Sequence, residues 1–137
     1  MLSFINLRIV FTILYLLFFS IVANEVFREV LYVKTVSREL LAAALCGFVL
    51  LCSISTFIFS FIDIWQPNSF SNTGNEADVF DNLNYFSFTT MFTLGFGDIT
   101  PLTLVAKRAV MLMGLTGHFY TVFITSIIIG KYVSAKS

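Results

Sequence analysis

The stretch Thr93-Leu94-Gly95-Phe96-Gly97-Asp98 decides how the rest of the chain is interpreted. Two glycines alternate with bulky apolar residues, and a carboxylate follows the second glycine. Glycine adopts backbone conformations that other residues resist, so alternating glycines allow successive carbonyls to point the same way. A row of carbonyls that faces a common axis can replace the water around a dehydrated cation. The stretch therefore predicts a cation site that is built from main-chain oxygens.

The residues just before this stretch predict a short helix that enters a membrane without crossing it. Residues 82–92 are too few to span a hydrocarbon core, which requires about 20 residues. Asp81 is a plausible N-cap for this helix. Its negative C-terminal end would then favour a cation near the stretch 93–98. Non-helical backbone is tolerated at membrane depth only where it is buried in protein or lines water.

Two apolar segments flank this region and predict an all-α membrane protein. Residues 41–62 carry no charged side chain and would span about 33 Å as a helix, enough to cross a bilayer. Residues 109–130 also carry no Asp, Glu, Lys or Arg. The chain is 58% hydrophobic and 12% charged, which is far from the composition of a soluble domain. We predict an outer helix over 41–64, a loop over 65–81 and an inner helix over 103–132.

The run from Tyr85 to Pro101, lying between these segments, resembles the pore helix, filter and exit turn of the potassium-channel pore-domain family. The resemblance covers about residues 41–132 and implies a passive, potassium-selective channel. One chain has one filter stretch and a ring needs four, so it implies a homotetramer. We call residues 93–98 the filter segment. The implied K⁺ sites lie between the carbonyls of its first four residues, namely Thr93, Leu94, Gly95 and Phe96. The Thr93 hydroxyl completes the innermost site, and Gly97 and Asp98 shape the outer mouth.

Other interpretations stay open. The surroundings of the filter segment depart from the family pattern, which favours a weakly selective cation channel as the first alternative. A non-conducting membrane subunit that assembles with other channel chains is the second. No nucleophile–base pair or metal cluster falls at a plausible depth, so we expect no enzyme and no cofactor besides the permeant K⁺. Zero net charge gives no field for nucleic acid, and the expected partners are K⁺, membrane lipid and copies of this chain.

The departures from the family pattern concern how the filter segment is held. In the family, aromatic donors of the pore helix brace the filter, but Phe86 and Phe96 stand at the positions of one such bond and can neither donate nor accept. Thr89 stands where some relatives have a glutamate. The hydroxyl of Tyr85 remains, and we predict that it forms the main polar brace by bonding Asp98.

Two further predictions concern the inner entrance and the inner helix. A phenyl ring at position 92, where the family usually has a small hydroxyl residue, is expected to turn back into the protein. Small and polar residues recur at spacings of three and four on the inner helix, namely Gly114, Gly117, Thr121 and Thr125. They predict a pore-lining stripe, with close helix packing as the alternative. By resemblance Gly117 is the hinge glycine. His118 lies beside the stripe and is expected to be a neutral packing residue rather than a pH sensor.

The first 40 residues lie outside the resemblance and predict an apolar helix followed by an amphipathic connector. Residues 4–23 could cross the membrane with Arg8 at its edge, lie at the interface, or form a signal peptide. Residues 24–40 mix charges with apolar residues at helical spacing, typical of a surface or solvated helix. Basic residues before the outer helix and after the inner helix predict that the start of the outer helix and the end of the inner helix lie in the cytoplasm. The protein would then be a multi-pass protein of the cell membrane. Lys107 and Arg108 run weakly against this orientation. The loop between the helices is acidic and should concentrate cations at the mouth.

Overall fold

The structure, a computed structural model, describes residues 2–32 and 38–134. These residues form four helices and no β-strand, apart from one isolated bridge. The helices are α1 (Leu2–Tyr32), α2 (Arg38–Trp65), α3 (Val79–Met91) and α4 (Leu104–Ser134). The all-α prediction is therefore confirmed for the described part of the chain.

Helices α2 and α4 form the frame of the molecule. Both are long and apolar enough to cross a membrane, and within the described residues no other helix meets both criteria. They run antiparallel, because Leu40 and Ala44 near the start of α2 pack against Tyr120 and Ile124 in the second half of α4. The Tyr120 hydroxyl donates a hydrogen bond of 2.6 Å to the Ala44 carbonyl. Interhelical hydrogen bonds of this kind help to hold helices together in lipid, where burial of apolar surface gives little drive.

The N-terminal region is one continuous helix over Leu2–Tyr32, where the sequence predicted a separate connector after residue 23. No Gly or Pro interrupts this region, and Glu25 and Arg28 continue the helix as an exposed pair 3.6 Å apart. The apolar part of α1 is the stretch Ile9–Glu25, which is shorter than the apolar parts of α2 and α4. The connector was expected to extend to residue 40, but residues 33–37 lie outside the described residues, and α2 already begins at Arg38.

Helix α1 lies antiparallel along α2. Tyr15 stacks on Phe57 with 5.4 Å between ring centroids and an interplanar angle of 4°. Earlier in α1, Phe11 shares a groove with Asp63 and Ile64 at the far end of α2. Moving forward along α1 therefore means moving backward along α2, so the start of α1 lies at the level where α2 ends.

Helix α3 fills the space between α2 and α4 at that same level. A cluster of three aromatic rings packs α3 against α2. The ring centroid of Phe59 in α2 lies 5.5 Å from those of Phe70 and Phe86, and the centroids of Phe70 and Phe86 are 5.7 Å apart. The Thr56 hydroxyl of α2 is also hydrogen-bonded to the Asn84 side-chain oxygen at 3.1 Å. The short helix is thus fixed to α2 by aromatic packing and by a part-buried polar contact.

The starts of α3 and α4 differ in how well they were predicted. Helix α3 begins at Val79 with Asp78 in the N-cap position, so the prediction of Asp81 as N-cap was wrong. Asp81 lies in the first turn, where a carboxylate still favours the positive helix end. For α4, the sequence Thr100-Pro101-Leu102-Thr103 predicts a turn that closes on the helix and caps it. This is confirmed, because Thr103 Oγ1 accepts a hydrogen bond from the Ala106 N–H at 3.3 Å.

Candidate functional site

The filter segment starts directly from the C-terminal end of α3. The Phe92 N–H donates to the Phe88 carbonyl at 2.9 Å, and the Thr93 N–H donates to the Thr90 carbonyl at 3.0 Å. The Leu94 N–H then donates to the Thr89 carbonyl at 2.9 Å. The last carbonyls of a helix have no partner inside the helix, and here they accept from the segment that follows. The inner end of the filter segment is thereby fixed to the helix.

The backbone of the filter segment alternates in handedness. Thr93, Gly95 and Gly97 have positive φ angles of 58°, 58° and 80°, whereas Leu94 and Phe96 do not have positive φ. Glycine adopts such angles without penalty, but a β-branched residue such as Thr93 does so at a cost of about 1–3 kcal/mol. This alternation is the backbone condition under which successive carbonyls turn to the same side. Strain at Thr93 is of the kind that persists only where the surrounding structure fixes it.

The side chains of the filter segment find little cover within their own chain. Leu94 is 57% exposed and Phe96 is 67% exposed. A Cβ atom added at Gly95 or Gly97 would meet no atom within 4 Å. An apolar groove of about 720 Å³ runs beside the segment and is completed by Pro101 and α4. Apolar surface of this extent on a single chain indicates a partner surface.

Asp98, at the outer end of the segment, is bonded through two of its groups. Its carboxylate accepts a hydrogen bond from the Tyr85 hydroxyl of α3, which lowers the pKa of Asp98 and raises the pKa of Tyr85. Its main-chain carbonyl accepts a hydrogen bond of 2.8 Å from Asn72 Nδ2 in the outer loop. Both ionisable groups are exposed, so the carboxylate stays charged at neutral pH.

The other pore-helix side chains that were considered as braces face elsewhere. Phe86 is buried against Phe59 and Phe70, and its ring has no hydrogen-bond donor to offer Asp98. Thr89 is also buried, and its hydroxyl donates to the Phe86 carbonyl at 3.0 Å. Among the described residues of α3, Tyr85 is therefore the side chain that bonds the Asp98 carboxylate.

The outer loop contributes contacts that sequence reasoning missed. Ser71 pairs with Thr100 through main-chain and side-chain hydrogen bonds of 2.8–2.9 Å. Asp63, at the end of α2, accepts a hydrogen bond from the Ser69 N–H at 3.1 Å. Ser71 and Thr100 are 29 positions apart, and no periodicity in the sequence marks either pair. The loop is thus part of the site rather than a solvated connection.

Phe92, at the inner end, lies against the outer helix. Its ring centroid is 4.7 Å from that of Phe48 in α2, and Phe48 in turn lies 5.7 Å from Tyr120 of α4. The ring contacts α2 but is still 56% exposed within the chain, so its turning back into the protein stays a prediction. Three elements, namely α2, α4 and the start of the filter segment, meet in this aromatic group.

The predicted stripe on α4 divides into two parts. A Cβ at Gly117 would lie 2.6 Å from the Met91 carbonyl oxygen, and a Cβ at Gly114 would lie 3.7 Å from Thr90 Cγ2. The two glycines face the end of α3 closely, which fits the packing alternative, and pore lining, which can hold together with it, stays a prediction. Small residues let helices approach this closely.

The remaining residues of the stripe lie in a different environment. Thr121 and Thr125 are exposed and donate to the carbonyls one turn earlier, at 3.0 and 2.7 Å. They line a groove of about 530 Å³ with Phe92, Thr93 and His118. His118 is exposed within its own chain and has no hydrogen bond within the described residues, so its role as a packing residue stays a prediction. The start of the filter segment and the two threonines of α4 therefore line the same groove.

Two antiparallel membrane-length helices have a short helix and a segment with left-handed residues between them, an arrangement that fits a membrane protein of the pore-loop class. Residues 47–134 match the family model described as ion channel, a family of two-transmembrane type that includes potassium-channel pore domains. This match spans more than half of the chain, and the protein belongs to the ion channel family. No curated protein and no solved structure matches the chain.

Proposed function

We propose that four copies of this chain form a potassium-selective channel that conducts K⁺ passively. In the proposed pathway, K⁺ binds between the carbonyls of Thr93, Leu94, Gly95 and Phe96, with the Thr93 hydroxyl at the innermost site. The observation that carries this proposal is the alternating left-handed backbone at residues 93, 95 and 97, directly after the C-terminal end of a short helix. The helix end adds a favourable potential for a cation.

The exposed apolar surface supports the homotetramer. Only 17% of the most apolar part of α4 is buried within the chain, although α4 is long enough to cross a membrane. Leu94 and Phe96 are also uncovered, and they lie on the filter segment itself. A ring of copies would cover the filter segment and part of α4, and membrane lipid would cover the outer faces. Closed rotational symmetry is the usual way in which identical subunits achieve this.

The proposed orientation places Asp98 and the acidic loop outside the cell. The start of α2 at Arg38 and the end of α4 near Lys131 then lie in the cytoplasm, as the positive-inside rule favours. Because α1 runs antiparallel to α2, its N-terminal end lies at the outer level. We propose that α1 adds a third crossing element to a cell-membrane protein. Asp63, Glu76, Asp78, Asp81 and Asp98 would raise the cation concentration at the mouth in a salt-dependent manner.

The test is the reversal potential of purified protein in liposomes or planar bilayers, with K⁺ on one side and Na⁺ on the other. We expect a strong preference for K⁺. A measurable current with a reversal potential near zero would indicate the weakly selective cation channel. Absence of current from folded, tetrameric protein would favour the non-conducting subunit, and co-expression with other channel chains would then be the next measurement.

A further inference from the structure

A segment of the outer loop runs antiparallel to the exit of the filter. Phe70 and Pro101 form an antiparallel bridge. On either side of it, the Ser71 N–H donates to the Thr100 carbonyl at 2.9 Å and the Leu102 N–H donates to the Ser69 carbonyl at 2.8 Å. Pro101 has no N–H to offer, and the flanking residues supply the hydrogen bonds instead. We call residues 69–72 and 98–102 together the outer clasp.

Side chains extend the outer clasp to the filter segment itself. Ser71 Oγ accepts a hydrogen bond from the Thr100 N–H at 2.9 Å and lies 2.8 Å from Thr100 Oγ1. Asn72 Nδ2 donates to the Asp98 carbonyl at 2.8 Å, one residue beyond Gly97. Asn72 has a positive φ of 54°, a conformation that Asn tolerates better than most residues do. Asn72 therefore contacts the main chain at Asp98, directly after the last left-handed residue of the filter segment.

The outer clasp is anchored to the rigid part of the molecule. Phe70 is buried in the ring cluster with Phe59 and Phe86. The Ser69 hydroxyl donates to the Gln66 carbonyl at 2.6 Å, and the Ser69 N–H is bonded to the Asp63 carboxylate at the end of α2. Any displacement of the Asp98 carbonyl must therefore either break the bond from Asn72 or move a segment that is tied to α2.

We propose that Asn72 is a positioning residue for the outer end of the ion pathway. The inference rests on the proposed function and deepens it. Carbonyl oxygens that face a common axis repel one another, and a bound cation offsets this repulsion. When K⁺ leaves the outer sites, the flexible main chain at Gly97 is free to turn. The bond from Asn72 to the next carbonyl restrains that turn, so its contribution should be largest at low external K⁺.

The chain offers a matched pair of variants to test this. Asn72→Gly removes the donor but keeps a residue that adopts positive φ without strain. Asn68→Gly is the control, because Asn68 has a positive φ of 62° in the same loop and its side chain has no hydrogen bond within the described residues. Asn72→Asp is the second variant, since a carboxylate has nearly the same shape and cannot donate to a carbonyl.

The measurement is the rate at which K⁺ current is lost when external K⁺ is lowered, with recordings at high external K⁺ for comparison. We expect Asn72→Gly and Asn72→Asp to lose current several-fold faster than wild type at low K⁺ and at the wild-type rate at high K⁺. Asn68→Gly should match wild type at both. Hydrogen exchange at the Thr100 and Leu102 amides should be faster in the Asn72 variants than in the control.

The outcomes separate this inference from the proposed function. If the wild type conducts K⁺ and the Asn72 variants behave like it at low K⁺, the inference is wrong and the proposed function still stands. The same holds if the variants change the rate equally at high and low K⁺, because a purely structural role would do so. A folded wild type without K⁺ current overturns the proposed function, and the inference falls with it. Faster loss of current in the Asn72 variants that is confined to low external K⁺ supports both.

Discussion

The outer end of the filter segment is held by side-chain hydrogen bonds, whereas its inner end is held by main-chain hydrogen bonds to α3 and by close packing. At the outer end, Tyr85 bonds the Asp98 carboxylate and Asn72 bonds the Asp98 carbonyl. At the inner end, Gly117 approaches the Met91 main chain and the Phe92 ring lies on Phe48. Polar bonds at an exposed mouth compete with water and respond to pH and ions, while packing responds to volume. The two ends should therefore fail under different changes.

The largest expected effect is at the packed end, from Gly117→Ala. The added Cβ would lie 2.6 Å from a main-chain oxygen of Met91, which cannot rotate away as a side chain would. Overpacking of this kind costs about 1–3 kcal/mol, and we expect a lower melting temperature of the assembly or its failure to form. Thermal unfolding in detergent, followed by circular dichroism or light scattering, measures it.

Gly130→Ala is the matched control for this change. Gly130 lies on the same helix, and a Cβ there would meet no atom within 4 Å. Alanine is favoured over glycine in a helix by up to about 1 kcal/mol, so this variant should be at least as stable as wild type. If Gly117→Ala melts like Gly130→Ala, the close approach of α4 to the end of α3 does not limit stability.

The contrast between these glycines also shows what the sequence could and could not predict. Long runs without charge mark α2 and α4, because crossing a membrane imposes a length and a composition. The glycine spacing in residues 93–98 marks the left-handed loop, because few other residues adopt it. In contrast, a small residue on a membrane helix serves either a cavity or a close contact, and the sequence does not distinguish them at Gly117.

The polar end shows the same limit in another form. Tyr85 could be linked to Asp98 by resemblance, since both lie in the motif. Nothing in the sequence links Asn72 to Asp98 or Ser71 to Thr100, because the loop has no regular geometry from which partners can be counted. The start of α3 was missed for a related reason. Asp78 and Asp81 are equally good N-cap residues by type, and the bond from Asn82 to the Thr73 carbonyl helps to fix which one begins the helix.

The next largest effect is at the polar end, from Tyr85→Phe. The change removes the hydroxyl that bonds the Asp98 carboxylate and leaves the ring in place. We expect current to be lost several-fold faster at low external K⁺, measured as for the Asn72 variants. Tyr15→Phe is the control, because the Tyr15 ring stacks on Phe57 and its hydroxyl has no hydrogen bond within the described residues. Unchanged kinetics in Tyr85→Phe would show that the bond does not brace the filter segment.

The Tyr85 variant should also shift the response to external acid. The Tyr85 hydroxyl lowers the pKa of Asp98, so the stabilisation from this bond is present above the ordinary carboxyl pKa and is lost as pH falls through the lowered pKa. Without the hydroxyl, the pKa of Asp98 rises toward its ordinary value. Loss of current on acidification should therefore begin at a higher pH in Tyr85→Phe than in wild type. An identical acid limb in both proteins would contradict the assignment of that limb to Asp98.

The smallest effect on conduction is expected from Phe92→Thr, which returns to the packed end. The variant removes the ring that contacts Phe48 and, through it, the group that includes Tyr120. An aromatic pair contributes about 0.5–1.5 kcal/mol, so we expect a modest loss of stability or a change in gating with nearly unchanged single-channel conductance. The reason is geometric, because we expect a ring that contacts α2 to lie beside the proposed permeation path rather than across it. Phe18→Thr, at an exposed ring of α1, is the control for loss of a phenyl group elsewhere in the chain. A several-fold rise in conductance of Phe92→Thr with normal assembly would place the four rings in the pathway, and the inner end would then be held by something other than this contact.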